Sequence, residues 1–302
     1  MNLKVAYILG AGLGTRMGPI GTSLPKLLWP VFEKSLLELQ IDYAIECGAE
    51  KIYLNTHFQA NKIQSYVDSN EIDVEIIFEE ELLDIGGAVH NLARKLNYEG
   101  QVLILNGDQF LMLSEQSLND FKLKSKSSVA SLLGLKVPAN SQYNELIVKD
   151  SLLCSIEKPS SSKEYYTFSG VSIINLEMLK ACDGASKFFD TVADYNNEDV
   201  FVYHPEEFEY WDFGTTERYI NSMRNVLKMP GSRFKEFLIR NKAFMKEKVL
   251  SDLCYNSRGV DYSINLNDEF LENGLGNIVI DGKDLTQSQG TVVIYKDKVS
   301  GV

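Results

Sequence analysis

The sequence predicts an α/β fold: a mostly parallel, mixed sheet flanked by helices, with a small C-terminal appendage. Three observations lead there. Short apolar runs alternate with helix-patterned segments from residue 3 to about residue 137, the order that strand–helix–strand units impose. The first apolar run passes straight into a glycine-rich turn. Pro230-Gly231 breaks a long amphipathic pattern late in the chain, as that pair breaks any helix.

Strands are expected at residues 5–9, 51–55, 74–78, 102–105 and 129–135. Between them Leu37, Ile41, Ala44 and Ile45 recur at helical spacing, as do Ala88, Leu92 and Leu96 after Gly86-Gly87, so the crossovers are helices. From residue 155 to 210 the pattern loosens, with strand-like pieces at 170–174 and 199–203, which implies mixed pairing beside the parallel part. A helix beginning at Thr215 or Thr216 carries Tyr219, Ile220, Met223, Val226 and Leu227 on one face and stops before Pro230. Residues 1–229 are thus expected to form the main domain. Residues 230–302 are expected to form an appendage of a helix and short strands around Asp281-Gly282, acting as a cap or as a homodimer contact. The basic stretch from 232 to 250, with Arg233, Lys235, Arg240, Lys242, Lys246 and Lys248, reads as a solvated helix face, the alternative being a docking face for an acidic surface.

With 302 residues, 44% of them hydrophobic and 7 prolines, the chain can bury a sizeable core. No run of about 18 apolar residues is present to span a membrane, and the apolar run 5–9 leads to glycines instead of a cleavage site. The expected location is the cytoplasm. Cys47, Cys154, Cys182 and Cys254 are scattered without a CxxC pair, which fits packing residues in a reducing compartment. A net charge of -12 argues against nucleic acid as partner. It does not argue against a nucleotide, which needs only local amides, a few cations and metal-holding carboxylates.

The loop Leu9-Gly10-Ala11-Gly12-Leu13-Gly14-Thr15-Arg16 follows the first strand, and Pro25-Lys26 lies just beyond. Three alternate glycines let backbone amides approach a ligand and cup phosphate oxygens. Thr15 or Met17 stands where a Rossmann fingerprint needs its third glycine, and no P-loop lysine follows. Arg16 and Lys26 are set by stiff local chain to converge on one phosphate, the clamp that phosphoryl transfer uses. Two further strings carry carboxylates. Asn106-Gly107-Asp108 ends a buried strand, where open α/β sheets bind ligands, although the string alone reads equally as a hairpin turn. Trp211-Asp212-Phe213-Gly214-Thr215 precedes a helix, where an aspartate alone reads equally as a cap.

Taken together, these motifs resemble the sugar-1-phosphate nucleotidyltransferase family, over roughly residues 3–227. The resemblance implies a nucleotide-diphospho-sugar transferase fold, similar to glycosyltransferase A. It implies that Leu9, Gly10, Ala11, Gly12, Gly14 and Thr15, with Asn106, hold the nucleoside triphosphate. Arg16 then stabilises the leaving pyrophosphate and Lys26 the α-phosphate or sugar phosphate, while Asp108 and Asp212 hold magnesium. The string Leu83-Asp84-Ile85-Gly86-Gly87 resembles the segment over the nucleobase, with Ile85 where a threonine is common, so that Gly86 and Gly87 would contact the base. Glu157-Lys158-Pro159 resembles the element whose glutamate and lysine take the sugar and its phosphate, and Thr167 with Gly170 the wall of the sugar pocket. Tyr143-Asn144 stands where tyrosine-glycine is common against the sugar, and His57 has a parallel after the second strand but reads as structural.

The LDxGG and TFSG strings are most similar to guanylyl- and uridylyltransferases of mannose, heptose and muramate phosphates. The implied reaction joins a nucleoside triphosphate to a sugar 1-phosphate. Its rivals are a cytidylyltransferase acting on a phosphoalcohol such as phosphocholine and a non-catalytic nucleotide-sugar sensor.

Overall fold

The structure is a computed structural model that describes residues 3–159, 163–244, 250–256, 259–266, 277–281 and 292–301. Its principal elements in chain order are β1 (Val5–Leu9), α1 (Leu36–Glu46), β2 (Lys51–Thr56), α2 (Ala60–Ser69), β3 (Glu75–Phe78), α3 (Asp84–Lys95), β4 (Gln101–Asn106) and β5 (Gln109–Leu113). There follow α4 (Glu115–Lys124), β6 (Ala130–Val137), β7 (Glu145–Lys149), β8 (Leu152–Glu157), β9 (Tyr165–Asn175), β10 (Val200–Tyr203), β11 (Phe208–Asp212), α5 (Thr216–Lys228) and α6 (Arg233–Arg240). Beyond α6 lie β12 (Leu250–Asn256), β13 (Gly259–Asn265), β14 (Ile278–Asp281), β15 (Val292–Tyr295) and β16 (Lys298–Gly301).

Nine strands form the main sheet in the order β3-β2-β1-β4-β9-β6-β10-β8-β7. The first four are mutually parallel, β9 runs against both β4 and β6, and β8 runs against β10 and β7. The sheet is therefore mixed in the second half, as the loosened apolar pattern implies. Period-two alternation sorts the side chains of each strand onto opposite faces. Ala6 and Ile8 of β1 and Leu103 and Leu105 of β4 enter one core, while Tyr7, Val102 and Ile104 enter the other. Each such fully buried aliphatic side chain contributes roughly 1.5–3 kcal/mol relative to exposure. Register places Leu9 opposite both Asn55 and Asn106, so β1, β2 and β4 end level and present one carboxyl edge.

Helix starts obey the capping chemistry. Ser35 and Glu38 form a reciprocal capping box on α1, Thr215 Oγ1 accepts from Arg218 N at 3.2 Å on α5, and Ser232 Oγ accepts from Lys235 N at 3.0 Å on α6. Each satisfies a backbone donor that the helix cannot. After α5, Gly231 turns with φ 81, and the chain reverses into α6.

The basic stretch proves amphipathic. Phe234, Phe237 and Leu238 are fully buried, with Phe234 4.8 Å from Trp211 and 5.0 Å from Phe110 between ring centroids. Outward, Arg233 pairs with Glu207 at 2.7 Å and Arg240 with Glu46 at 2.9 Å. Lys246 and Lys248 lie outside the described residues. Strands β12 to β16 form a separate sheet in sequence order. Its last strand reaches the amino-terminal loop, where Ser300 Oγ donates to Met17 O at 2.9 Å and accepts from Ile20 N at 3.2 Å.

The packing reading of the cysteines needs correction: Cys47 is buried, but Cys154 is exposed on β8 and Cys182 is half-buried. Short β strands point every second residue outward, and Cys154 falls on that parity. Cys254 lies in β12, and its side chain is outside the described residues. Among the described residues no helix is long and apolar enough to cross a membrane.

Candidate active site

The glycine loop leaves β1 at the carboxyl edge. Gly10 N donates to Asn55 Oδ1 at 2.6 Å, Asn55 Nδ2 donates to Glu79 Oε1 at 2.7 Å, and Glu79 Oε2 accepts from Leu83 N at 3.3 Å. Buried Glu79 thus ties the loop to the start of α3. Gly10 is required sterically, since a Cβ there would sit 2.5 Å from Leu27 Cδ1 and 2.9 Å from Asn55 O, whereas Gly12 faces open space.

Leu9, Ala11 and Gly12 line a cavity of about 660 Å³ with Arg16, Lys26, Asn106 and Asp108. Gly10 and Gly14 line a smaller hollow of about 60 Å³ together with Pro25 and Lys26, and it shares Leu9, Gly12 and Lys26 with the larger cavity. Thr15 borders neither.

Two carboxylates face this loop although 104 positions separate them in sequence. The cause is the ribbon of β5 and β11, antiparallel with Asp212 opposite Gln109 and Phe208 opposite Leu113. Beyond that ribbon Phe213 N donates to Asp108 O at 2.8 Å, so the two aspartates are held side by side. A methyl group added at Gly214 would meet Asp108 Oδ2 and Asp212 Oδ1, each at 2.9 Å. Two such distances from one point put those oxygens no more than twice 2.9 Å, or 5.8 Å, apart.

Asp108 and Asp212 are 7% and 8% exposed, and buried carboxylates need partners. Lys26 Nζ forms an ion pair with Asp108 Oδ2. Asp212 Oδ1 accepts from Gly214 N at 2.7 Å. Its Oδ2 accepts from Arg218 Nη1 at 2.8 Å, from Tyr143 and Tyr210 hydroxyls at 3.3 Å each, and from Gln109 Nε2 at 3.5 Å. Burial first, and then the Asp212 charge, push the phenols of Tyr143 and Tyr210 upward, so both stay protonated donors.

A second cavity of about 220 Å³ adjoins the first, with Leu9, Ile85, Asn106 and Gln109 on both walls. Tyr143, Thr167, Gly170 and Tyr210 also line it. Gly170 has φ 86, and a Cβ there would collide with the Asn106 amide, so only glycine fits.

Other expected residues lie elsewhere. Gly86 and Gly87 line neither cavity; their missing side chains admit the backbone of residues 184–187, with Lys187 O and Gly184 O each 2.5 Å from the added Cβ. Glu157 and Lys158 are exposed at the end of β8, also outside both linings. Glu157 accepts from Ser155 Oγ at 2.7 Å. The tertiary neighbours of the two glycines are protein backbone, whereas Glu157 and Lys158 face solvent, placements that no local pattern specifies.

His57 Nδ1 is 2.9 Å from Glu79 O, in keeping with a structural histidine. Unforeseen were Glu79, Gln109, Tyr210 and Arg218. Gln109 directly follows Asp108 and Arg218 stands in the first turn after Thr215, so adjacency to the two motifs was the signal available.

A carboxyl-edge glycine loop, two cations and Asp108 on one cavity wall, with Asp212 beside Asp108 but outside both linings, are the parts of an α/β enzyme that handles nucleoside phosphates. The chain belongs to the nucleotidyl transferase family, whose model matches residues 5–229.

The chain is 26% identical over 193 residues to D-glycero-alpha-D-manno-heptose 1-phosphate guanylyltransferase of Aneurinibacillus thermoaerophilus, covering 63% of this chain and 82% of that protein. It is likewise 26% identical over 246 residues to UTP--glucose-1-phosphate uridylyltransferase of a Synechocystis species, covering 74% and 63%. It spans only 43% and 36% of two longer bifunctional relatives. The crystal structure of HddC from Yersinia pseudotuberculosis complexed with GMP-PN superposes with a TM-score of 0.62 at 24% identity, over 73% of this chain and 98% of that one. That likeness establishes the shared fold.

Proposed function

We propose that this protein transfers a nucleoside monophosphate from a nucleoside triphosphate to a sugar 1-phosphate in the cytoplasm, releasing pyrophosphate, with magnesium held between Asp108 and Asp212. One observation carries the reading. The two carboxylate oxygens that converge on the space beside Gly214, with Asp108 and Gly214 on the wall of the larger cavity, form a small all-oxygen cradle, and such hard donors suit magnesium. When bound, the ion would neutralise phosphate charge and align the reacting groups.

The chain's own residues do the rest. An oxygen of the sugar phosphate forms a bond to the α-phosphorus of the triphosphate. The bond from that phosphorus to the bridging β-oxygen breaks, and its electron pair leaves with pyrophosphate. No protein nucleophile is needed. Arg16 and Lys26, on the wall of the larger cavity, balance charge on the leaving and transferred phosphates. Gly12 and Ala11 bring the backbone close to the triphosphate. The smaller cavity, with Thr167, Gly170 and Tyr143, fits the sugar, and its continuity with the larger one puts the two substrates in contact. The relatives' names include both guanylyl and uridylyl transfer, and the base is left to the assay.

The test is pyrophosphate release on mixing the protein and magnesium with four nucleoside triphosphates against a panel of sugar 1-phosphates and phosphocholine. Nucleotide sugar and pyrophosphate in equal amounts are expected with one sugar phosphate. Turnover of phosphocholine alone, or of nothing, overturns the reading.

A further inference from the structure

We infer that the sugar phosphate taken by the smaller cavity is a 6-deoxyhexose 1-phosphate, its methyl group seated among Ile104, Leu135, Phe168 and Phe188, an inference that rests on the transfer reaction proposed above. The lining of this cavity carries no charged side chain among the described residues. Those four apolar residues line it without lining the larger cavity, so they form the part remote from the triphosphate. Ile104, Leu135 and Phe188 are buried. Phe168 and Phe188 stack with ring centroids 5.6 Å and planes 6° apart, and Phe189 packs edge-on against them at 5.8 and 5.2 Å. The result is a braced aromatic corner.

The larger cavity sets how a sugar must enter. Its phosphate, on C1, has to reach the triphosphate there. In a pyranose ring C4 lies across from C1, and the C6 branch springs from C5 beside it, so the C4–C6 end points into the apolar part.

Hydrogen-bond partners lead to the same substrate. The polar side chains on the lining are Asn106, Gln109, Tyr143, Thr167, Ser172 and Tyr210. Asn106 Nδ2 already donates to Gln109 Oε1 at 2.7 Å. Gln109 Nε2 and the hydroxyls of Tyr143 and Tyr210 donate to Asp212 Oδ2 at 3.5, 3.3 and 3.3 Å. That leaves the hydroxyls of Ser172 and Thr167 for a ligand. Ser172 Oγ is buried and has no partner, a state that a ligand hydroxyl would relieve.

A hexose 1-phosphate carries four hydroxyls and a 6-deoxyhexose 1-phosphate three. Ser172 and Thr167 can meet two of them, and the family resemblance gives Glu157 to a third. Glu157 and Lys158 stand outside this lining and keep the roles that the resemblance gives them. A fourth hydroxyl, on C6, would enter apolar walls without a partner, which is costly, whereas a methyl group gains by burial there.

The test is steady-state pyrophosphate release with the triphosphate that supports turnover. It compares mannose, glucose and galactose 1-phosphates, each beside its 6-deoxy counterpart, so that the members of a pair differ by one oxygen atom. In the configuration turned over best, the 6-deoxy compound is expected to have a kcat/KM about ten- to hundredfold above its parent, the range over which an apolar pocket discriminates by one small group. Leu135→Asn, close to the same size, places an amide in the apolar part and should narrow that ratio to within about threefold. A folded Leu135→Asn that keeps the wild-type ratio overturns the inference, and if the variant does not fold the wild-type ratio decides.

A parent hexose phosphate used as well as its 6-deoxy counterpart, or an N-acetylhexosamine 1-phosphate preferred to every pair, overturns this inference and leaves the transfer reaction standing. Wild type that makes no nucleotide sugar from any of these substrates overturns both together.

Discussion

Replacing Gly214 by alanine is the smallest perturbation that reaches the carboxylate pair. Gly214 is not among the residues with positive φ, so alanine brings no backbone strain, and its effect is that of one methyl group. That methyl would lie 2.9 Å from Asp108 Oδ2 and from Asp212 Oδ1, below any ordinary carbon–oxygen contact. It would occupy space beside both oxygens, where the proposed magnesium ion would be held. The side chains can relieve the clash only by spreading, which costs Asp212 its alignment with the Gly214 amide, now 2.7 Å from Oδ1, or costs Asp108 its pairing with Lys26. Loss of one well-placed electrostatic contact in a transition state is worth about 3 kcal/mol, or roughly a hundredfold in rate. The assay is pyrophosphate release across a magnesium series, with thermal melting alongside. Gly214→Ala should need at least about tenfold more magnesium and turn over about a hundredfold more slowly, with Tm within about 2 °C of wild type. Wild-type magnesium dependence and turnover in a folded variant would refute the cradle.

Asp108→Asn and Lys26→Ala should each lower kcat by at least about a hundredfold without loss of fold, as read from steady-state rates and circular dichroism. Ser300→Ala removes both hydrogen bonds that join the last strand to the loop at Met17 and Ile20. It should cost about 1–3 kcal/mol of stability in urea melts and lower kcat severalfold by loosening Arg16. Burial lowers the pKa of both His90 and His204. A histidine harder to protonate folded than unfolded gives stability that is complete above the unfolded value of about 6.5 and is lost as pH falls below it. Melting temperature should therefore drop between pH 7.5 and pH 5.5, and His204→Gln should flatten that drop.

What the sequence discloses follows the range of the forces involved. β1 matches its expected residues, and the ends of β2, β3, β4 and β10 lie within one residue of theirs, because short apolar runs flanked by turn formers report locally. β9 extends from residue 165, five residues ahead of the expected start, since its first half carries the buried polar residues Thr167 and Ser169, which break the apolar run. The β5–β11 ribbon has no local signal, for its partners lie about a hundred residues apart, yet it alone brings Asp108 beside Asp212. Arg218 was invisible for a similar reason: its place in a first helical turn is legible, but its reach back across Gly214 to Asp212 is not. Glu157 and Lys158 are the opposite case: their string is recognisable in the sequence, but their exposure at the end of β8 is not. In α6 the cations drew the reading outward, although Phe234 and Phe237 recur at helical spacing and anchor the helix in the aromatic core.

Manganese binding followed by electron paramagnetic resonance, in the presence of the triphosphate that supports turnover, bears most directly on the paired carboxylates. The wild type should take up one ion per chain in a protein-dependent site, with affinity falling at least about tenfold in Asp108→Asn and in Asp212→Asn alike. Equal manganese affinity in the wild type and both variants would contradict the shared site.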